Sequence, residues 1–104
     1  MDFRVDVLLS FQRALWDEVT GNLRGVAVRP TSPVIEARFL YDTLPGGVED
    51  EIVSEVETYV VADFNAPIDV RFRAVYSPRA TARTLEAGEE WVYLRREPAA
   101  TGRE

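Results

Sequence analysis

The side chains able to do chemistry in this sequence are carboxylates, hydroxyls, tyrosines and arginines. There is no cysteine and no histidine, and all 12 basic residues are arginine. Zinc ribbons, thiolate nucleophiles, haem ligation, imidazole bases and serine triads are thereby removed. The absence of lysine removes Schiff bases and the phosphate-loop lysine. An enzyme would have to work with a carboxylate pair or with a hard metal ion held by carboxylates. Glu36, Asp63 and Asp69 are the candidates for that role, and their spacing selects neither chemistry. Gly46-Gly47 has no G-x-G-x-x-G pattern around it, so no phosphate cradle is indicated. No cofactor and no metal site is expected.

The chemistry of recognition is better marked, because charge is unevenly spread. The chain has 18 acids against 12 bases, a net charge of −6. Residues 39–70 hold eight acids (Asp42, Glu49, Asp50, Glu51, Glu55, Glu57, Asp63, Asp69) and no base. Residues 1–38 balance at five of each sign, and residues 71–104 carry five acids and seven arginines. The acidic lobe is either the solvated face of a helix, since glutamate is a good helix former, or a docking surface for a basic partner. Like charges at four-residue spacing, such as Glu51 and Glu55, cost a few tenths of a kcal/mol each, and keeping them without one arginine favours the docking reading.

Arginines on strands (Arg38, Arg71, Arg73, with Arg95 near Trp91 and Tyr93) can stack on bases and clamp phosphate, or pair with Glu36 and Asp69 across strands. The negative total charge opposes a polyanion, so no nucleic acid partner is expected.

The elements that must position these residues are legible from periodicity. Leu8, Phe11, Leu15 and Val19 recur at helical spacing and predict an amphipathic helix over 6–20, stopped by Gly21-Asn22. Leu23–Arg29 and Val34–Tyr41 read as two strands of a hairpin joined by Pro30-Thr31-Ser32-Pro33. Ile35, Ala37, Phe39 and Tyr41 share the inner face of the second. Val48, Ile52, Val56, Val60 and Phe64 repeat at four-residue steps and predict a second helix. Its first turn is acidic, as the helix dipole favours. Ile68–Tyr76 alternates strictly, with Ile68, Val70, Phe72, Ala74 and Tyr76 inward, and Glu90–Arg96 is a last strand. Ser77–Gly88 reads as a polar loop with a turn of helix.

Asp63 falls inside the apolar arc of the second helix and requires a partner, an arginine from the sheet or a backbone cap. Gln12 requires one likewise, and Trp16 and Trp91 read as core edges. The order is αββαββ, an α+β fold with two helices packed on one face of a mostly antiparallel four-stranded sheet. A chain of 104 residues supports one core, placed over residues 1–97, with 98–104 a polar C-terminal tail. No apolar run approaches the roughly 18 residues of a membrane span. Met1-Asp2-Phe3-Arg4 does not begin a signal peptide, and no disulfide framework exists. The chain therefore reads as cytoplasmic, with no membrane partner.

Three stretches, Arg13-Ala14-Leu15-Trp16-Asp17-Glu18-Val19-Thr20-Gly21-Asn22-Leu23-Arg24, Glu55-Val56-Glu57-Thr58-Tyr59-Val60-Val61-Ala62-Asp63-Phe64 and Trp91-Val92-Tyr93-Leu94-Arg95-Arg96-Glu97, together resemble a family of small bacterial proteins associated with polymorphic toxin systems as immunity proteins. The likeness spans most of the chain and carries no catalytic residue. Trp16 stands where the family usually has a small residue before Asp17-Glu18-Val19. The resemblance implies a non-enzymatic protein that neutralises a toxin by stoichiometric occlusion, its acidic helix face against a basic active-site cleft. Asp50, Glu51, Glu55 and Glu57 would be the polar contacts to that cognate toxin domain. A small enzyme using carboxylates, or a homo-oligomeric interaction module, are the alternatives.

Overall fold

The computed structural model describes residues 2–65 and 67–98. The elements are α1 (Phe3–Ala14), β1 (Leu23–Pro30), β2 (Val34–Tyr41), α2 (Gly47–Ala62), β3 (Asp69–Tyr76) and β4 (Glu90–Leu94). Residues 99–104 of the expected tail lie outside the described residues.

Helix α1 begins earlier than its apolar spacing predicts, because the Asp2 carboxylate accepts from the backbone N–H groups of Arg4 (2.9 Å) and Val5 (3.4 Å). It also ends earlier, at Ala14 rather than Thr20. The reversal falls on Asp17, whose φ of 67° is left-handed, and not on Gly21. Trp16 and Glu18 are therefore carried on a turn instead of a helix.

The sheet runs β3-β2-β1-β4. β1 pairs antiparallel with β2 from Leu23↔Tyr41 to Pro30↔Ile35, and antiparallel with β4. β2 and β3 are parallel over eight residues, Val34↔Asp69 to Tyr41↔Tyr76. The sheet is thus mixed, which corrects the mostly antiparallel expectation. The cause is α2: a helical crossover between two neighbouring strands returns the chain to the end where it started, so the second strand runs parallel to the first.

Both helices cover one face. Val7, Phe11, Ala14 and Leu15 of α1 and its cap, with Val53, Val56 and Val60 of α2, pack on Val26, Val28, Ile35, Ala37, Phe39, Tyr41 and Phe72. The Phe72 ring lies 5.1 Å from that of Phe11 and 6.3 Å from that of Phe39, centroid to centroid, a spacing at which aromatic pairs add to area burial. Three residues expected inside are not: Val48 and Tyr76 are exposed at the ends of their elements, and Val19 is exposed beyond the early end of α1.

The other face is covered as well, which periodicity did not show. The segment 77–89 crosses it without regular structure, so β1 is buried on both sides from Leu23 to Val28 and loses any alternation. Gly25 makes room for this cover: a Cβ there would lie 3.0 Å from the Trp91 ring.

Candidate functional site

Three arginines of β1 and β2, Arg24, Arg29 and Arg38, are spent on holding segment 77–89. Arg24 is 2% exposed and grips Glu97 through two bonds of 2.9 Å. Its Nη1 also donates to the carbonyls of Ser77, Pro78 and Thr81. Arg95 joins Glu97 (2.8 Å) to Asp42 (2.8 Å), and Arg83 donates to the carbonyls of Arg24 and Arg95. Arg38 forks onto Glu89 (2.8 and 2.6 Å) and reaches the Thr84 carbonyl, and Arg29 pairs with Glu36 and bonds the Ala87 carbonyl. The Arg24 guanidinium pulls the Glu97 carboxyl down to about 2, with burial opposing and Arg95 assisting. A cleft of about 430 Å³ lies on this side, and three glutamates (Glu36, Glu86, Glu89) face its four arginines. Of the arginines read as a stacking face, Arg38 and Arg95 are engaged within the fold and Arg71 pairs with Asp69, while Arg73 is exposed with no ion pair among the described residues. Trp91 is half-buried there, as a core-edge residue should be.

Of the enzymatic candidates, Glu36 and Asp69 lie on the neighbouring strands β2 and β3, paired with Arg29 and Arg71, while Asp63 lies across the molecule at the end of α2. Asp63 accepts from Ser10 Oγ (2.7 Å) and from Arg13 (3.1 Å). Its required partner thus comes from α1, not the sheet, and the Ser10 hydroxyl is the main cause that lowers its pKa. Gln12 donates to the Val92 carbonyl at 3.1 Å. Among the described residues, no group of three or more Asp, Glu, His or Cys could hold a metal ion.

The acidic lobe separates into three kinds of residue. Asp42, Asp63 and Asp69 are neutralised by Arg95, Arg13 and Arg71. Glu49 and Glu57 bond without a cation. Glu49 closes a capping box by accepting from the Gly46 N–H (2.8 Å) and holds Asn22 (3.1 Å), and those two bonds, the Gly46 one first, lower its pKa. Glu57 accepts from the Phe72 N–H (2.9 Å) on the free edge of β3. Asp50, Glu51 and Glu55 remain exposed, with no arginine in salt-bridge reach among the described residues.

The turn after α1 adds a fourth acid that sequence reading missed. Glu18 meets Glu55, and its carboxyl is pushed up to about 7, chiefly by burial, then by its hydrogen bond to Glu55 and by the charges of Glu55, Asp17 and Glu51. No periodic signal links residues 18 and 55; only the early end of α1 brings them together. Beneath this rim the fully buried Tyr41 hydroxyl has no hydrogen-bond partner among the described residues, and burial, then the charges of Glu49, Glu18 and Asp50, push it up to about 12. Trp16, expected at a core edge, is 76% exposed on the same turn.

No described helix is long and apolar enough to cross a membrane. No curated protein matches the chain. A family model described as MafI2 immunity protein matches residues 4–97, a span that includes all six elements but the first residue of α1 and reaches both members of the buried Arg24–Glu97 pair. The chain belongs to the MafI2 immunity protein family, an assignment that implies a cognate toxin.

Proposed function

We propose that this protein neutralises its cognate toxin without chemistry of its own, by stoichiometric occlusion in the cytoplasm. The acidic face formed by α2 and the turn after α1 would lie against a basic cleft of the toxin and exclude its substrate. Asp50, Glu51 and Glu55 supply the central polar contacts, Glu18 extends them, and Glu57, with one oxygen on the Phe72 N–H, stands at the margin. The observation that carries this reading is selective neutralisation. Five of the eight acids in residues 39–70 bond to an arginine, an amide or a backbone N–H, three of them to arginine, and the other three, Asp50, Glu51 and Glu55, lie between the first turn and the middle of one helix with no arginine in salt-bridge reach among the described residues. Unpaired like charge repels itself, and its gain is attraction of an opposite charge, as steering during encounter.

The test uses the C-terminal domain of the cognate toxin, its gene to be sought beside this one. Reversing Glu51 and Glu55 to arginine should leave the fold intact and slow association about 10- to 100-fold at low salt, with the salt dependence of the wild-type rate lost. Unchanged association kinetics would dismiss the acidic face as the docking surface.

A further inference from the structure

The acids account for attraction, yet the same face carries large apolar groups that no element covers. Trp16 is 76% exposed, Val48 65%, and Val19 and Tyr59 43% each. They are grouped rather than scattered. Val48, Glu51, Glu55 and Tyr59 follow one another at three- and four-residue steps, so they form one stripe of α2. The α1 end of the molecule runs alongside: Arg13 donates to Asp63 at the end of α2 (3.1 Å), and Glu18 lies near enough to Glu55 and Glu51 for their charges to raise its pKa. Trp16 lies between Arg13 and Glu18, and Val19 follows directly. A tryptophan buries on the order of 150–250 Å² when covered. Single exposed apolar residues are ordinary, but an exposed tryptophan and tyrosine interleaved with unneutralised carboxylates have the composition of an interface centre with a charged surround.

We infer that Trp16 is the anchor of the toxin interface, seated in a cationic partner surface, and that it governs residence time while Glu51 and Glu55 govern encounter. The charge of the face selects the occupant. A second copy of this chain would bring the same acids into opposition, whereas a lysine- or arginine-lined cleft satisfies them and offers cations to stack on the indole. The inference rests on the immunity reading and adds to it the residue that sets affinity. The turn that presents Trp16 is fixed by the left-handed Asp17 and the buried Leu15, so the indole is pre-positioned.

The probe is again the cognate toxin domain, with association and dissociation rates measured separately. Trp16→Ala removes an exposed side chain and should fold. It is expected to dissociate about 100-fold faster, with an association rate within about twofold of wild type. The chain has two tryptophans, so Trp91→Phe leaves Trp16 as sole reporter, and its emission should shift to the blue and resist quenching in the complex. Wild-type dissociation by Trp16→Ala, or unshifted Trp16 emission on binding, overturns the anchor while the immunity reading survives. Failure of the wild-type chain to bind the domain overturns both. A dimer of the free chain at micromolar concentration that Trp16→Ala makes monomeric also overturns the anchor, because the face would then serve self-association.

Discussion

Replacing Glu97 with glutamine should cost this protein a large part of its stability and should remove a defined portion of its acid sensitivity. The Glu97 carboxyl is drawn from 4.5 to about 2 in the fold, first by Arg24. A shift of that size corresponds to about 3 kcal/mol at neutral pH. Because the folded-state pKa is the lower one, the contribution is complete above about 4.5 and disappears as pH falls toward about 2. The side chain is 6% exposed, so solvent screens the pair little. In the variant the Arg24 guanidinium stays buried beside a neutral amide. Losing one partner of a buried pair costs about 3–5 kcal/mol; the carbonyls of Ser77, Pro78 and Thr81 still accept from Arg24, which places the loss near the lower end. A domain of this size has on the order of 5–15 kcal/mol in total. Urea unfolding at neutral pH should therefore show a midpoint well below wild type with an unchanged slope. Repeated toward pH 2.5, the two proteins should converge, since the wild type loses what the variant lacks already. An equal midpoint at neutral pH, or a constant gap down to pH 2.5, would refute the assignment of Arg24 and Glu97 as the clamp that holds segment 77–89.

Glu18→Gln should act in the opposite sense. Its folded-state pKa is raised to about 7, so the wild type loses stability as pH climbs from about 4.5 through 7, and the variant should exceed it by roughly 1–2 kcal/mol near pH 8, after solvent screening, and match it near pH 5. A pH-independent difference in the urea midpoint would contradict the Glu18–Glu55 contact. Gly25→Ala should destabilise by about 1–3 kcal/mol, since its methyl would meet the Trp91 ring at 3.0 Å and the Tyr93 carbonyl at 3.3 Å; a thermal midpoint equal to wild type would show that the cover over β1 is loose.

Where side-chain periodicity and tertiary burial agree, the fold was legible. The hairpin follows from its apolar runs and the prolines between them, and the outer bounds of α2 to within a residue or two and the inward set Ile35, Ala37, Phe39 and Tyr41 follow from periodic burial. Periodicity failed where a non-local contact decides. A parallel β2–β3 pair depends on which edge of the hairpin α2 returns to, and nothing within β3 encodes that choice. Leu15 and Val19 keep helical spacing although only Leu15 is buried, and the chain reverses at Asp17 between them. Of the candidate contacts, Asp50, Glu51 and Glu55 sit together on one exposed stretch of helix as read, whereas the engagement of Glu57 by a β3 backbone N–H and the arrival of Glu18 depend on distances across the core.

The charge asymmetry has a structural origin that composition alone does not reveal. Segment 77–89 has one large apolar side chain, Leu85, which is exposed, and its backbone carbonyls would be unsatisfied if they were pressed against an apolar sheet. Guanidinium groups resolve both difficulties, since each offers five donors and its charge is met by Glu86, Glu89 or Glu97. Arg24, Arg29 and Arg38 are used in this way, Arg83 within the segment donates to the Arg24 and Arg95 carbonyls, and Arg95 is shared between Glu97 and Asp42. Lysine would not substitute, because a single ammonium cannot fork onto a carboxylate and reach several carbonyls at once. With these arginines committed to the far side of the sheet, Asp50, Glu51 and Glu55 on the helical side have no arginine in salt-bridge reach among the described residues. The sidedness of the charge thus follows from how segment 77–89 is fastened. Weakening that fastening should loosen segment 77–89 and leave the acidic face in place.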